Sequence, residues 1–252
     1  MTKIAIIIGA TSGLGREVAA GLIAKGWKVG VTGRRVEALE AFRNEFGADK
    51  VAFRRMDITE ERAGTVLDEL IAETGAPDLL LHVSGIGYQN RELDEEKEIR
   101  TIRTNCEGMV RIVDHFFNYV RNHPDRYTPA CKAHIAVVTS VAGTVPLGSV
   151  PAYSASKKMG STYITALVQL ANMEKIPVQF TDIRPGFVRT DILDADKEYP
   201  MLMTVQQAGK LMLRALERRK RVFIFDWRYR ILVFFLRLIP RGIWERMTRF
   251  KS

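Results

Sequence analysis

The 252-residue sequence has few cysteines and no long apolar run. Its two cysteines, Cys106 and Cys131, are too few for a disulfide framework and have no His or Cys partners at zinc spacing. We therefore expect no metal site, and a reducing compartment suits the chain. No segment approaches the roughly 20 apolar residues that span a bilayer. The apolar run Ile4–Ile8 is too short for a signal peptide, so we interpret it as a buried strand.

The net positive charge of the sequence comes from its C-terminal end. Hydrophobic residues make up 46% and charged residues 27%, which is ordinary for a globular protein and excludes intrinsic disorder. Residues 214–252 hold 12 Lys and Arg against three acidic residues, and this surplus equals the whole net charge of +9. The basic character therefore belongs to a tail and not to the remainder of the chain.

Short β-branched runs alternate with stretches of helical period. Strands that are almost continuously apolar are typical of a parallel sheet covered on both faces. We predict an α/β fold: one doubly wound, Rossmann-type domain with a seven-stranded parallel sheet at 1–226, and a helical tail at 227–252. Strands are predicted at Ile4–Ile8, Lys28–Thr32, Val51–Arg55, Leu79–Val83, His134–Thr139, Val178–Ile183 and Val222–Phe225. Helical stretches include Gly13–Lys25, Val36–Phe46 and Glu60–Glu73.

A glycine-rich turn joins the first predicted strand to the first helix. Glycines at positions 9, 13 and 15 permit a tight turn, and the helix start offers N–H groups to a pyrophosphate. The alternative is a tight turn with no ligand. We expect the following residues of this turn to contact a dinucleotide: Gly9, Thr11, Ser12, Gly13, Leu14 and Gly15.

The end of the second predicted strand indicates which dinucleotide is bound. NAD-binding folds usually place Asp or Glu there, whereas this sequence places Arg34 and Arg35. Guanidinium groups bind phosphate through charge-assisted hydrogen bonds, which favours the 2′-phosphate of NADP(H). A solvated arginine pair is the alternative, although cations at a helix N-terminus oppose the helix dipole.

A hydroxyl, a phenol and an amine follow the fifth predicted strand. Tyr153 and Lys157 are four residues apart and share one helix face, and Ser140 lies 13 residues before Tyr153. A phenol acting near pH 7 needs its pKa lowered by about 3 units, or about 4 kcal/mol. One cation about 4 Å away supplies about that much at an effective dielectric constant of 20. The spacing therefore predicts an acid–base tyrosine.

These motifs together resemble the short-chain dehydrogenase/reductase family over about residues 3–225. The resemblance implies that Tyr153 exchanges a proton with the carbonyl oxygen and that Ser140 hydrogen-bonds the same oxygen. Lys157 would hold the nicotinamide ribose and lower the phenol pKa, and Asn105 would anchor a water that links Lys157 to solvent. The remaining matching positions would contact the cofactor: Asp57 and Ile58 near the adenine, and Pro185, Gly186, Val188 and Thr190 near the nicotinamide.

Two positions depart from the pattern of that family. Ile8 replaces the usual Thr before the first glycine, and the segment His82-Val83-Ser84-Gly85 replaces Asn-Asn-Ala-Gly. The lost side chains mostly brace the central sheet, so the departures affect local bracing more than chemistry. We interpret His82 as a strand histidine whose hydrogen bonds are satisfied, and not as a catalytic residue.

Two segments bear on substrate and partners. In the resembled family the segment between Thr190 and Thr204 covers the substrate, and here Met201–Met203 suggest an apolar lid, with packing into the core as the alternative. The tail 227–252 combines an apolar helix, ended or kinked by Pro240, with arginines. It is suited to an anionic membrane interface or to a subunit or core contact, and no motif indicates nucleic acid.

The sequence thus predicts an NADP(H)-dependent oxidoreductase for a carbonyl or secondary alcohol, with an apolar small-molecule substrate. The alternative is a non-catalytic NADP(H) sensor or scaffold docked through its tail, but a sensor needs no phenol–ammonium pair. We also expect a homo-oligomer located in the cytoplasm, either free or peripheral on the cytoplasmic face of a membrane.

Overall fold

A computed structural model describes residues 2–190, 193 and 198–247 of the chain. Its centre is a seven-stranded sheet in which every pair of neighbouring strands is parallel, with the order β3-β2-β1-β4-β5-β6-β7. The predicted doubly wound α/β fold is confirmed. The strands are β1 Ile4–Ile8, β2 Lys28–Gly33, β3 Val51–Arg55, β4 Leu79–His82, β5 Ala133–Val138, β6 Val178–Arg184 and β7 Val222–Ile224.

Helices cover both faces of the sheet and give it two separate cores. In β1, Ala5 and Ile7 face one core while Ile6 and Ile8 face the other, as the two-residue period of a strand requires. The first core is closed by α1, α2 and α7, and the second by α3, α5 and α6. The helices are α1 Gly13–Ile23, α2 Val36–Phe46, α3 Ala63–Thr74, α4 Glu95–Ile102, α5 Met109–Arg121, α6 Pro151–Met173, α7 Val205–Glu217, α8 Trp227–Leu238 and α9 Arg241–Trp244.

Several element boundaries differ from the predicted ones by one to three residues. Helix α1 ends at Ile23 and not at Lys25, because the chain turns through Gly26 at a positive φ of 80°. Helix α3 begins at Ala63 and not at Glu60, because Asp57 Oδ1 accepts hydrogen bonds from the backbone and hydroxyl of Thr59 and forms a turn first. Strand β5 is shifted one residue toward the N-terminus, β2 and β6 each end one residue later than predicted, and β4 and β7 each end one residue earlier.

The order of the strands brings the predicted site residues together. Chain connections cross between β1 and β4, where the direction of winding reverses. Ligands bind at such a switch point, beyond the carboxyl ends of the parallel strands. The glycine turn follows β1, the segment from Ser84 follows β4, and Ser140 follows β5, so all three lie at this edge.

The described part of the tail, residues 227–247, forms helices α8 and α9, and α8 packs on the domain. Asp226 caps α8 by accepting a hydrogen bond from the Arg228 backbone, and α8 ends at Leu238, just before Pro240. Tyr229 and Val233 are buried beneath α8, and a side chain added at Gly186 would overlap the Tyr229 ring. No helix among residues 2–190, 193 and 198–247 is long and apolar enough to cross a bilayer. The boundary at residue 226 stays a prediction.

Candidate active site

The turn between β1 and α1 brings backbone into very close contact. Gly9 has a φ of 92° and Gly13 a φ of 56°, both in the region that glycine adopts without strain. A methyl group added at Gly15 would overlap the Gly9 carbonyl oxygen. The side chain of Ser12, the residue that precedes α1, does not cap the helix, and the first turn has no acidic residue. The start of α1 is therefore suited to an anionic group.

Both arginines after β2 lie beside this turn. Arg35 Nη2 donates hydrogen bonds to Thr11 Oγ1 at 3.0 Å and to Ser12 Oγ at 2.9 Å. Arg34 and Arg35 are exposed and immediately precede α2. Both cations thus lie at the N-terminus of α2, and Arg35 also contacts the turn before α1, so a bound anion would offset their mutual repulsion and the opposing helix dipoles.

Asp57 and Ile58 follow β3, at the same edge of the sheet. Burial raises the pKa of Asp57, but hydrogen bonds from Thr59 and the nearby charge of Arg34 outweigh it and hold the pKa below its usual range. Asp57 is therefore an anion at neutral pH. Ile58 is buried, and a side chain added at Gly108 would overlap it, so Ile58 fixes the floor of the cleft against the helix that carries Asn105.

Ser140 and Tyr153 meet at the carboxyl end of β5. Ser140 Oγ accepts a hydrogen bond from the Ala142 backbone at 3.1 Å, which starts a single 3₁₀ turn at Val141–Gly143. This turn packs on α6 so closely that a side chain on Gly143 would overlap the helix backbone at Lys157. The two hydroxyls share a side-chain hydrogen bond. The structure thus brings the predicted serine, which is buried, next to the predicted tyrosine, which is half-buried.

Lys157 lies on the same face of α6 as Tyr153. Its Nζ donates a hydrogen bond to the Val138 carbonyl oxygen at 3.1 Å and lies 5.6 Å from the centroid of the Tyr153 ring. Burial lowers the pKa of Lys157 to about 8, although Cys106 and Asp182 oppose the shift. A primary ammonium has three donors, so two remain for a ligand.

The pKa of Tyr153 differs from the sequence-based expectation. Burial raises the pKa of the phenol, and the hydrogen bond with Ser140 lowers it only in part. The expected depression by Lys157 is absent: the Lys157 Nζ lies 5.6 Å from the ring centroid, and burial disfavours the charge of the lysine itself. In the chain alone, Tyr153 is a protonated phenol at neutral pH.

Asn105 ties three segments of the site together. It lies in a π-helical turn, Arg103–Gly108, inserted between α4 and α5. Its Oδ1 accepts from the Ile86 backbone at 2.9 Å, and its Nδ2 donates to the Ile86 carbonyl at 2.7 Å and to Ser156 Oγ at 3.0 Å. A side chain at Gly85 would press on both Asn105 Oδ1 and Lys157 Nζ, so both groups face the same small space.

Two residues that sequence reasoning missed also hold the site. Ser156 accepts from Asn105 and donates to the Tyr153 carbonyl at 2.8 Å, and its place between Tyr153 and Lys157 was the only available signal. Glu98 Oε2 accepts from the Ala152 backbone at 2.8 Å, at the start of α6. The contact spans 54 residues and has no local sequence signal.

His82 was expected to be a strand histidine whose hydrogen bonds are satisfied. This prediction is wrong for one of its two ring nitrogens, which makes no hydrogen bond within the described residues. Nε2 is buried without a hydrogen-bond partner in the part of the chain that the structure describes. Burial lowers the pKa of the imidazole to about 3, and the charge of Lys157 acts in the same direction. The resembled family's asparagine at this position helps to brace the central sheet, and the unpartnered Nε2 shows that His82 replaces that bracing only in part.

The segment after β6 closes the site from the opposite side. The Pro185 carbonyl oxygen accepts from the Val141 backbone at 3.0 Å, and Val188 is buried and bridged to Met203. Thr190 Cγ2 lies beside Gly13, so the segment returns to the glycine turn. Met203 also packs on the core, which favours the core alternative for this methionine. The expected lid extends over residues 191, 192 and 194–197, which lie outside the described residues.

Comparisons with known proteins agree with this geometry. The family model described as short chain dehydrogenase matches residues 3–200. An uncharacterized oxidoreductase of Myxococcus xanthus is 29% identical over 98% of this chain and 96% of its own length. Dehydrogenase/reductase SDR family member 7B of Xenopus tropicalis is 26% identical over 88% of this chain and 76% of its own.

Two solved structures have the same fold. A short-chain dehydrogenase/reductase from Burkholderia phymatum in complex with NAD gives a TM-score of 0.78 at 19% identity, covering 92% of both chains. An alcohol dehydrogenase from Thermococcus sibiricus complexed with 5-hydroxy-NADP gives 0.75 at 21% identity, covering 89% of this chain and 96% of that one. At these identities the likeness concerns the fold alone.

Proposed function

The chain is an oxidoreductase of the short-chain dehydrogenase family, and we propose that it transfers hydride between NADP(H) and a carbonyl or secondary alcohol. The observation that carries the proposal is the cluster of buried Ser140 and Lys157 with half-buried Tyr153, and Asn105 beside them. A half-buried phenol bonded to a hydroxyl, near an amine with spare donors, is suited to proton exchange with a carbonyl oxygen.

Each side chain has a distinct task in the proposed reduction. Burial keeps Tyr153 protonated, so its hydroxyl is ready to donate to the carbonyl oxygen as that oxygen gains charge. Ser140 is hydrogen-bonded to Tyr153 and is placed to donate to the same oxygen. The bound nicotinamide supplies or accepts the hydride. Lys157 has two donors left for ribose hydroxyls, and its charge favours the phenolate that remains after proton transfer.

The proposed preference for NADP(H) rests on the residues that follow β2. One of the two structural neighbours holds NAD and the other 5-hydroxy-NADP, so the fold accepts either type. Here the strand ends without a carboxylate, and Arg35 lies on the glycine turn while Arg34 lies near Asp57. A 2′-phosphate between them would offset the charge repulsion described above.

The substrate side of the site is apolar, which supports an apolar substrate. Phe187 and Tyr199 have ring centroids 4.8 Å apart, and Met201 and Leu202 follow them in the chain. These half-buried side chains offer contact area and few charges. The expected homo-oligomer and the location in the cytoplasm stay predictions.

The proposal is tested by following loss of reduced cofactor across a panel of aldehydes and ketones, in parallel with NADPH and NADH. We expect at least one carbonyl to be reduced, with NADPH preferred. Tight NADPH binding without turnover on any member of the panel would instead support the sensor alternative. Equal use of NADPH and NADH would support the enzyme but overturn the role of the arginine pair.

A further inference from the structure

Helix α8 turns an apolar stripe away from the protein. At about 100° per residue, Trp227, Ile231, Phe234, Phe235 and Leu238 fall within about 100° of one another on the helix surface. Trp227, Phe234, Phe235 and Leu238 are each 59–68% exposed. The residues that hold α8 to the domain, Tyr229 and Val233, lie on the opposite side and are buried. An apolar stripe of this width normally faces a core.

Arginines border the stripe on both sides. Arg230 and Arg237 lie along one edge of it and Arg228 along the other, and all three are exposed. Arg228 pairs with Asp226, whereas Arg230 and Arg237 have no carboxylate partner among the residues that the structure describes. Apolar side chains in the middle with flanking arginines are the pattern of a helix lying in a lipid–water interface, because arginine heads reach the phosphate level.

The buried side of α8, opposite the stripe, contacts the segment that follows β6. The Tyr229 hydroxyl donates to the Pro200 carbonyl at 2.8 Å and accepts from the Phe187 backbone at 3.3 Å. Beyond α8, Trp244 Nε1 donates to the Pro146 carbonyl at 2.8 Å. Pro146 follows the turn that begins at Ser140, and Phe187 follows Pro185. The tail helices therefore contact both the segment that follows β5 and the segment that follows β6.

We infer that the outward face of α8 docks the chain on an anionic membrane surface. Charge favours this occupant, because residues 227–252 hold seven Lys and Arg against one acidic residue, and residues 214–252 together carry the entire net charge of +9. A second copy of the same face would bring arginines against arginines, since a two-fold interface pairs each patch with itself. Docking needs neither turnover nor cofactor and so stands apart from the proposed function.

The test measures co-sedimentation of the full chain with vesicles of phosphatidylcholine, with and without phosphatidylglycerol. We expect binding to the anionic vesicles at about 50 mM salt and much weaker binding at about 500 mM salt. Phe234→Ser with Phe235→Ser should lower partitioning about tenfold or more. Arg230→Gln with Arg237→Gln should lower it about 25-fold, at about fivefold for each charge. Met173→Ser, an exposed apolar side chain on α6, should change nothing.

Lipid carrying bromine in its acyl chains tests the orientation. It should quench the tryptophan fluorescence of the chain, and Trp227→Phe should remove much of that quenching while Trp27→Phe does not. No binding to anionic vesicles at low salt would overturn the proposal, as would equal loss in the Met173 control. Size-exclusion chromatography identifies the competing occupant: an oligomer that dissociates on the Phe234 and Phe235 changes, without vesicle binding, would assign the face to a second copy. Circular dichroism and urea unfolding of the same samples show that each variant is folded.

Discussion

The candidate active site and the outward face of α8 differ in burial and in hydrogen bonding. In the cleft, Asn105, Ser140 and Lys157 are all buried, and each is hydrogen-bonded within the chain. On α8, the apolar stripe is exposed and two arginines have no partner among the described residues. The polar groups of the candidate active site are therefore held mainly by contacts within the chain, whereas the apolar side chains on the α8 face can be buried only by another phase or molecule.

Two glycine substitutions, one in the glycine turn and one in the tail, should differ most in their effect on the free energy of unfolding. Gly15→Ala forces a methyl group onto the Gly9 carbonyl, so we expect it to lower the free energy of unfolding by about 3 kcal/mol. Gly242→Ala in α9 meets nothing within 4 Å and should leave stability unchanged or raise it by up to about 1 kcal/mol. Urea unfolding measures both. Similar losses would mean that α9 is packed as tightly as the glycine turn.

Removing the arginine pair should affect binding of one cofactor and not the other. We expect Arg34→Ala with Arg35→Ala to weaken NADPH binding by about 2–4 kcal/mol, from lost charge-assisted hydrogen bonds at exposed positions. NADH binding should barely change, because NADH has no 2′-phosphate. Titration of both cofactors against wild type and variant measures this. A parallel loss for NADH would show that the pair supports the turn through Thr11 and Ser12 instead.

His82 should make the cleft sensitive to acid. Its pKa of about 3 in the folded state lies below the unfolded value of about 6.5, so the unfolded state binds the extra proton first. Stability from this group is therefore complete above pH 6.5 and is lost as pH falls toward 3. His82→Leu should reduce the loss between pH 6.5 and 4 by about 2 kcal/mol relative to wild type. Unchanged pH dependence in the variant would contradict the burial argument.

The underside of α8 should matter to stability more than its outward face. Tyr229→Phe removes a hydroxyl that bonds to both Pro200 and Phe187, and we expect a loss of about 1–2 kcal/mol. Phe235→Ser, on the exposed stripe, should change stability by less than about 0.5 kcal/mol. Thermal unfolding of the two variants compares the faces. If Phe235→Ser were the more destabilising change, the stripe would be packed in solution and not free.

Local patterns in the sequence were sufficient to predict the strands, the glycine turn and the helix that carries Tyr153 and Lys157. The apolar runs predicted all seven strands to within about two residues, and the glycine spacing predicted the turn whose backbone contacts the structure shows. The spacing of Tyr153 and Lys157 predicted their common helix face. These features depend on neighbours within a few residues, so sequence periodicity reports them.

Features that depend on long-range burial could not be predicted. The π-helical turn at Asn105, the contact of Glu98 with the start of α6, and the packing of Tyr229 on Gly186 join segments far apart in the chain. The pKa of Tyr153 was predicted from one charge and a uniform dielectric, whereas enclosure by the fold dominates it. Burial is a property of the assembled core, which spacing along a helix does not reveal.

The role of Tyr153 is tested most directly by removing its hydroxyl group alone. Tyr153→Phe should reduce turnover with NADPH about 10²–10⁴-fold and leave NADPH affinity within about threefold, because the hydroxyl serves proton transfer and not cofactor binding. Tyr163→Phe is the matched control, since it removes a hydroxyl from the same helix that bonds to Asp114 and lies away from Ser140. Tyr163→Phe should keep its turnover. A Tyr153→Phe variant that retained most of its activity would contradict the assignment of Tyr153 as the acid.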